Sequence, residues 1–209
     1  MSPSSTRSDE DFSFPVVGIG ASAGGLEAVK KFLEGLPADT EMAFVLVMHL
    51  SPDRESHLGE LLASSTEMPV TTVSEAAELE AGHLYVIQPE TDLELQEGTR
   101  LVAEPRSERE VPAHPIDRLF RSLAREVGDR AVAIVLSGSG SDGAQGIREI
   151  NRQNGLVLVQ EPDEAGFRSM PDAAIGAIHP DLVLPAGKLG ERLAELIAAG
   201  PKRRLPERS

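Results

Sequence analysis

The sequence predicts an α/β domain built on a doubly wound, mostly parallel sheet with an antiparallel hairpin insertion. Three observations carry the prediction. Short, β-branched apolar runs alternate with amphipathic helical patterns, an order that places helices on both faces of a parallel sheet. A glycine-rich turn, Gly18-Ile19-Gly20-Ala21-Ser22-Ala23-Gly24-Gly25, joins the first of those runs to the first helix. In the middle of the chain Leu93-Glu94-Leu95-Gln96 runs through Glu97-Gly98 into Arg100-Leu101-Val102, which signals a hairpin.

The elements follow in order. Phe14 to Ile19 is the first strand, and Leu26, Val29, Leu33 and Leu36, at spacings of 3, 4 and 3, mark the first helix. Ala43 to Met48 is the second strand. A helix over Arg54–Ser64 carries Leu58, Leu61 and Leu62, and Met68 to Val73 is a short third strand. Leu84-Tyr85-Val86-Ile87 and Leu93 to Gln96 are short strands assigned to an antiparallel insertion or edge, and Glu104 to His114 is a charged, proline-containing loop. Ile116, Leu119, Phe120, Leu123, Ala124 and Val127 then fall on one face of a strongly periodic helix. Alternation resumes with a strand at Ala131 to Leu136, a turn at Ser137 to Gly143 and a helix at Ala144 to Arg152. Leu156 to Gln160 is a strand, Met170 to Ile178 a helix and Leu182 to Leu184 a short strand. A closing helix carries Leu189, Leu193, Leu196 and Ile197. Residues 14–199 are expected to form one domain between a disordered tail at 1–13 and a loose tail at 200–209.

Composition narrows the function classes. At 209 residues the chain suits one well-buried domain, with a core of Val, Leu, Ile and Ala because it has one Tyr, six Phe and no Trp. No apolar run approaches the ~20 residues of a membrane span, and the polar start MSPSSTRSDEDFS lacks the apolar segment of a signal peptide, so direct membrane insertion is not expected. Zero cysteines exclude disulfides, thiolate catalysis and Cys-ligated zinc, and fit a cytoplasmic protein. A net charge of −14, from 34 acidic and 20 basic residues, would repel nucleic-acid phosphates, so no nucleic-acid partner is expected.

The glycine-rich turn carries the chemistry. Gly20-Ala21-Ser22-Ala23-Gly24 reads as G-x-S-x-G between a strand and a helix, the context of a nucleophile elbow. The helix N-terminus beside it presents N–H groups that favour developing negative charge. The same letters also fit the relaxed dinucleotide fingerprint, as Gly18-x-Gly20-x-x-Ala23. That fingerprint wants an acidic residue at the end of the next strand, where this chain has His49. An acid is missing where a cofactor needs one, and a base stands where a serine nucleophile needs one.

Sites in open parallel sheets form outside the carboxyl ends of the strands. Of the five histidines only His49 ends a buried-type strand. His57 falls in a helix, His83 precedes a strand, and His114 and His179 flank prolines, so these four read as surface or capping residues. A second glycine-rich turn, Leu136-Ser137-Gly138-Ser139-Gly140-Ser141-Asp142-Gly143-Ala144, supplies an acid just before a helix. Asp142 could simply cap that helix. As a catalytic acid it would accept Nδ1–H of His49, fix the tautomer and stabilise imidazolium.

The turn at Gly20 to Gly25, His49-Leu50-Ser51-Pro52, Pro115-Ile116-Asp117, Leu136 to Gly143 and Met170-Pro171 together resemble the CheB family of chemotaxis protein-glutamate methylesterases, across about residues 14–199. The resemblance implies hydrolysis of glutamate γ-methyl esters on cytoplasmic helices of methyl-accepting receptors, with release of methanol. Many members also deamidate receptor glutamines. It places the nucleophile on Ser22, the base on His49, the orienting acid on Asp142 and oxyanion contacts at the N–H groups near Ala23 and Ser139, and it requires no metal and no organic cofactor. Many members carry a receiver domain ahead of the esterase, whereas about 13 residues precede the first strand here. A constitutive enzyme, or control in trans by a receiver protein or a receptor methyltransferase, is therefore expected. Many receiver-linked members also have Thr after the nucleophile and Met where Ser139 stands. Ala23 and Ser139 look more like the version fused to methyltransferases, which extends the implied substrates to related sensory receptors. The competing reading is a catalytically weak CheB-like regulatory or binding domain in a sensory signalling complex.

Overall fold

The computed structural model describes residues 14–37, 39–49, 57–88, 91–106 and 114–199. Its elements are β1 (Val16–Ala21), α1 (Gly25–Glu34), β2 (Ala43–Met48), α2 (Leu58–Ala63), β3 (Val70–Val73), β4 (Ala76–Glu78), β5 (His83–Ile87), β6 (Thr91–Gln96) and β7 (Arg100–Pro105). They continue with α3 (Pro115–Val127), a short 3-10 turn, β8 (Ala131–Val135), α4 (Gly146–Arg152), β9 (Leu156–Gln160), α5 (Ser169–Ala177), β10 (Leu182–Leu184) and α6 (Ala186–Ala198).

A seven-stranded sheet in the order β10-β9-β8-β1-β2-β5-β3 forms the middle layer, and its ladders are parallel. β1, β2 and β8 are buried along their whole length, as strands covered on both faces must be. Successive side chains alternate between two cores. Val16, Val45 and Val47 join one with Ile116, Phe120 and Leu123 of α3, while Val17, Ile19, Phe44 and Leu46 join the other with Phe32 of α1 and Leu189 of α6. The winding reverses between β1 and β8: β2 lies on one side of β1, and β8, β9 and β10 on the other.

Glycine sets how closely α3 lies on β1. A Cβ at Gly18 would stand 2.7 Å from Leu123 Cδ1, and one at Gly20 would overlap Ile116 Cγ2. The glycines of β1 thus admit a helix, which gives them a purpose with no cofactor involved.

A second, three-stranded sheet in the order β4-β7-β6 contains the expected antiparallel hairpin, with Glu94 opposite Val102 and Leu95 opposite Leu101. Two features differ from the sequence reading. Leu84 to Ile87, assigned to the antiparallel part, lies in β5, a parallel strand between β2 and β3. Four consecutive buried residues demand cover on both faces, and so short a run carries no alternation from which to read its pairing. β4 was not foreseen, because Ala76-Ala77-Glu78 has no apolar alternation and owes its strand geometry to its pairing with β7. The expected helix over Arg54–Ser64 is present as α2 in its described part. Residues 50–56, the tails at 1–13 and 200–209, and residues 107–113 of the charged loop lie outside the described residues.

Candidate active site

Ala21 pairs with Met48, so Ser22 and His49 leave adjacent strands at the same level. The His49 N–H donates to the Ala21 carbonyl at 3.2 Å and extends the ladder by one step. On the other side, the Ser22 N–H donates to the Ser137 carbonyl at 3.0 Å. Ser22 therefore stands between the ends of β2 and β8, at the point where the winding reverses and where open α/β sheets form their sites. The Gly25 N–H closes the turn on the Ser22 carbonyl at 2.8 Å. The left-handed residue of this turn is Gly24, at φ 70° and ψ 0°, and Ser22 itself has negative φ. The sharp bend expected at the serine thus falls two residues later, where the lack of a Cβ removes the penalty.

His49 Nε2 lies 2.9 Å from Asp142 Oδ2. The sequence reading gave this contact to Nδ1; Nε2, the ring nitrogen farther from the main chain, spans the gap instead. Asp142 is buried, and its carboxylate is held from the other side by α3. Oδ2 accepts from the Ile116 N–H at 3.0 Å and Oδ1 from the Asp117 N–H at 2.9 Å. The alternative role, a cap on the helix that follows it, does not hold: that helix begins only at Gly146, and Asp142 caps α3 instead. Asp117 returns the arrangement: its Oδ1 accepts from the Gln145 and Gly146 N–H groups at 2.9 and 2.6 Å, capping α4. Two helix starts are therefore cross-capped by each other's carboxylates, and His49 is bonded to one of them. Burial pushes the Asp117 carboxyl above its ordinary value; the Asp142 charge adds to this, against the Gly146 and Gln145 N–H groups and Arg121.

Side chains without an assigned role hold the rest of the site. Ser137, fully buried, donates from Oγ to the Ala23 carbonyl at 2.8 Å and accepts from the Phe167 N–H at 3.0 Å. Its own N–H donates to Gln160 Oε1 at 2.7 Å. Gln160, at the end of β9, bonds in turn to Glu164. Met170 packs against Gly138, and a Cβ at Gly138 would stand 3.0 Å from Ser22 Cβ. His114, read as a surface residue, brings Nδ1 to 3.8 Å from Asp142 Oδ1. Only the Leu136–Gly143, Pro115–Asp117 and Met170–Pro171 motifs hinted at these residues, because their partners lie far away in the chain. Among the described residues the N–H groups of Ala23 and Ser139 have no hydrogen-bond acceptor.

His114, Asp117 and Asp142 bring ligand-type atoms within 4.8 Å of one another. Both carboxylates already accept from backbone N–H groups, which would face a cation with the same sign of charge. That donor set suits a hydrogen-bonded cap and does not fit a metal centre.

Fold and site define a doubly wound α/β domain with a serine, a histidine and an aspartate gathered at the switch point of its sheet. The matching family model is that of CheB methylesterase, over residues 17–193, and the chain belongs to that family. It is 32% identical over 199 residues to a protein-glutamate methylesterase/protein-glutamine glutaminase of Hydrogenovibrio crunogenus, covering 91% of this chain and 52% of that protein. A relative from Leptospira interrogans is 32% identical over 184 residues, covering 88% of this chain and 95% of that protein. An uncharacterized 104.1 kDa protein of Rhodobacter capsulatus is 39% identical over 145 residues, 69% of this chain but 15% of that protein. The chain thus spans about half the length of the Hydrogenovibrio relative and nearly all of the Leptospira one. The crystal structure of the Thermotoga maritima CheB methylesterase catalytic domain superposes with a TM-score of 0.81 at 26% identity, covering 88% of this chain and all of that one. No helix among the described residues is long and apolar enough to cross a membrane.

Proposed function

We propose that the protein is a serine hydrolase that removes methyl groups from glutamate γ-methyl esters on the cytoplasmic helices of methyl-accepting chemotaxis or related sensory receptors. The observation that carries this reading is the 2.9 Å contact of His49 with a buried, doubly capped Asp142, beside Ser22 at the strand ends. With Nε2 committed to Asp142, Nδ1 is the nitrogen that takes the Ser22 proton. Ser22 Oγ attacks the ester carbonyl, and the Ala23 and Ser139 N–H groups receive the developing oxyanion. The protonated imidazole, stabilised by Asp142, returns its proton to the departing methanol. Water then attacks the glutamyl-enzyme with His49 again as base, which regenerates Ser22 and leaves a glutamate. The same steps on a receptor glutamine release ammonia. No step calls for a metal or an organic cofactor.

The catalytic unit spans 14–199 in this reading, the protein works in the cytoplasm, and a receiver protein or receptor methyltransferase acting in trans regulates it. An intact Ser, His and Asp set speaks for turnover over a purely regulatory binding role. The test is to incubate the protein with methyl-labelled receptor and count released methanol. Ser22→Ala should fold normally and keep less than a tenth of wild-type turnover, since the three groups act as a unit. Equal rates for the two proteins would remove Ser22 from the mechanism.

A further inference from the structure

Next to Asp142 lies a cavity of about 460 Å³. Arg121 of α3 and Arg148 of α4 line it, with Ala173, Gly176 and Ala177 of α5 as a floor of small residues. Most of the described basic side chains elsewhere are paired, among them Lys31 with Glu164, Arg106 and Arg118 with Asp92, Arg152 with Glu149 and Arg168 with Asp172, while Lys30 and Arg100 make no ion pair within 4.0 Å among the described residues. Arg121 and Arg148 are exposed, and neither makes an ion pair within 4.0 Å among the described residues. The acid in the same cavity, Asp117, turns Oδ1 to the Gln145 and Gly146 N–H groups, and the remaining titratable lining residue is the half-exposed His114. On a chain of net charge −14, the cavity sets two arginines against one carboxylate, an excess of positive charge that favours an acidic ligand.

α5 ties the cavity to the reacting centre. Its second residue, Met170, donates its N–H to the Gly138 carbonyl at 3.0 Å, and Gly138 packs on Ser22. Ala173 and Gly176 follow roughly 4.5 and 9 Å farther along the helix, at about 1.5 Å per residue. A Cβ at Gly176 would meet nothing within 4 Å, so the floor is open to an approaching chain. A substrate helix laid along α5 with its reacting side chain at Ser22 would carry its residues one and two turns away past Ala173 and Gly176, into the cavity that the two arginines also line, because its pitch is about 5.4 Å.

We infer that Arg121 and Arg148 bind carboxylates of the substrate helix one and two turns from the methyl ester, setting its register and selecting acidic segments. The inference rests on the proposed methylesterase function and adds to it the chemistry of the substrate around the reacting group. Two long cations, separately mounted on α3 and α4, can grip acids at two successive turns, which a single contact could not do.

The test uses synthetic helical peptides with one glutamate γ-methyl ester, either with Glu four and seven residues away or with Gln at both places. Binding to Ser22→Ala protein is titrated, so the measurement does not depend on turnover. The Glu peptide should bind at least tenfold more tightly than the Gln peptide, about 1.4 kcal/mol. The preference should fade at 1 M salt, as expected for exposed charges, and vanish in the Arg121→Gln/Arg148→Gln double variant. Arg121→Lys/Arg148→Lys should keep most of it. In the Ser22-containing enzyme, the double Gln variant should raise KM for the Glu peptide with kcat unchanged, and should leave hydrolysis of the Gln peptide alone. Equal binding of the two peptides, or a preference that survives the double Gln variant, would overturn the inference. Failure of wild-type protein to release methanol from receptor would count against the function itself, and the titration would still decide the docking question.

Discussion

Asp142 and Asp117 look alike in the sequence, each a single acid near a helix start, yet they use their oxygens differently. Asp142 accepts the Ile116 N–H on Oδ2 and the Asp117 N–H on Oδ1, with His49 also on Oδ2. An amide offers one acceptor oxygen, so Asp142→Asn strands either a buried N–H or the imidazole. From the sequence alone, with Asp142 as the cap of its own helix, Asn would have been neutral for stability. With the cross-capping in view, the change should cost about 1–3 kcal/mol in urea unfolding and on the order of 10⁴ in kcat through the wrong tautomer. A variant with wild-type rate would return Asp142 to a purely structural role. Asp117 takes both of its N–H groups on Oδ1, so Asp117→Asn keeps the α4 cap. Burial raises the wild-type carboxyl above its ordinary 3.8. The native state then holds this proton more firmly than the unfolded chain, so the group's contribution is full below 3.8 and is lost as pH rises through the window above it. Unfolding midpoints measured across that window should fall with rising pH more in wild type than in Asp117→Asn, and parallel profiles would show that the acid costs nothing when ionised.

The contact that matters most between elements is α3 on β1, because α3 carries the N–H groups that hold Asp142. Ile116 fills the space left by Gly20, and Leu123 and Phe120 fill that left by Gly18. Gly20→Ala puts a methyl into Ile116, which must shift along with the Ile116 and Asp117 N–H groups. The expected outcome is about 1–3 kcal/mol of lost stability together with a fall in kcat, measured by unfolding and methanol release. Trimming the obstacle in Gly20→Ala/Ile116→Ala should give a non-additive double variant, as residues in direct contact do. The elements themselves were largely legible. β2, β9 and β10 fall where their apolar runs begin and end, and the face of α3 was marked by Ile116, Leu119, Phe120 and Leu123. The cross-capping was not legible, since a cap read from sequence is sought among chain neighbours and Asp142 finds its N–H groups some 25 positions earlier. Separation along the chain likewise hid the contact of His114 with Asp142 and the bond from Ser137 to Ala23, which lie 114 positions apart.

At the scale of the molecule, the reversal of winding between β1 and β8 gathers Ser22, His49 and Asp142, and it was legible because the two glycine-rich turns each follow a buried strand. The place of β5 in the parallel sheet was not, because pairing partners are chosen by the whole sheet. Several side chains of α3 bond to the antiparallel sheet, Ser122 at Leu95 and Glu126 at Gly98 among them, and Arg118 carries the charged link. Arg118 of α3 reaches Asp92 at 3.1 Å, Glu104 at 2.8 Å and Glu94, all on β6 and β7. Burial alone would favour loss of its proton, but Glu94, Asp92 and Glu104 outweigh that and raise its pKa. Asp92 is 3% exposed and keeps only Arg106, at 3.2 Å, if Arg118 is removed. Arg118→Met preserves the apolar stem and deletes the charge, leaving three acids crowded together. The loss should be about 1–3 kcal/mol, the range for buried hydrogen bonds to charged groups. It should be local: in hydrogen exchange, β6 and β7 should lose protection while β1, β2 and β8 keep theirs, because stability is spread unevenly over cooperative units. Methanol release should stay within about threefold, roughly 0.65 kcal/mol, since Asp142 is held by the backbone of Ile116 and Asp117 and by no part of the Arg118 side chain. Uniform loss of protection across both sheets would mean that the antiparallel sheet and the parallel sheet unfold as one body.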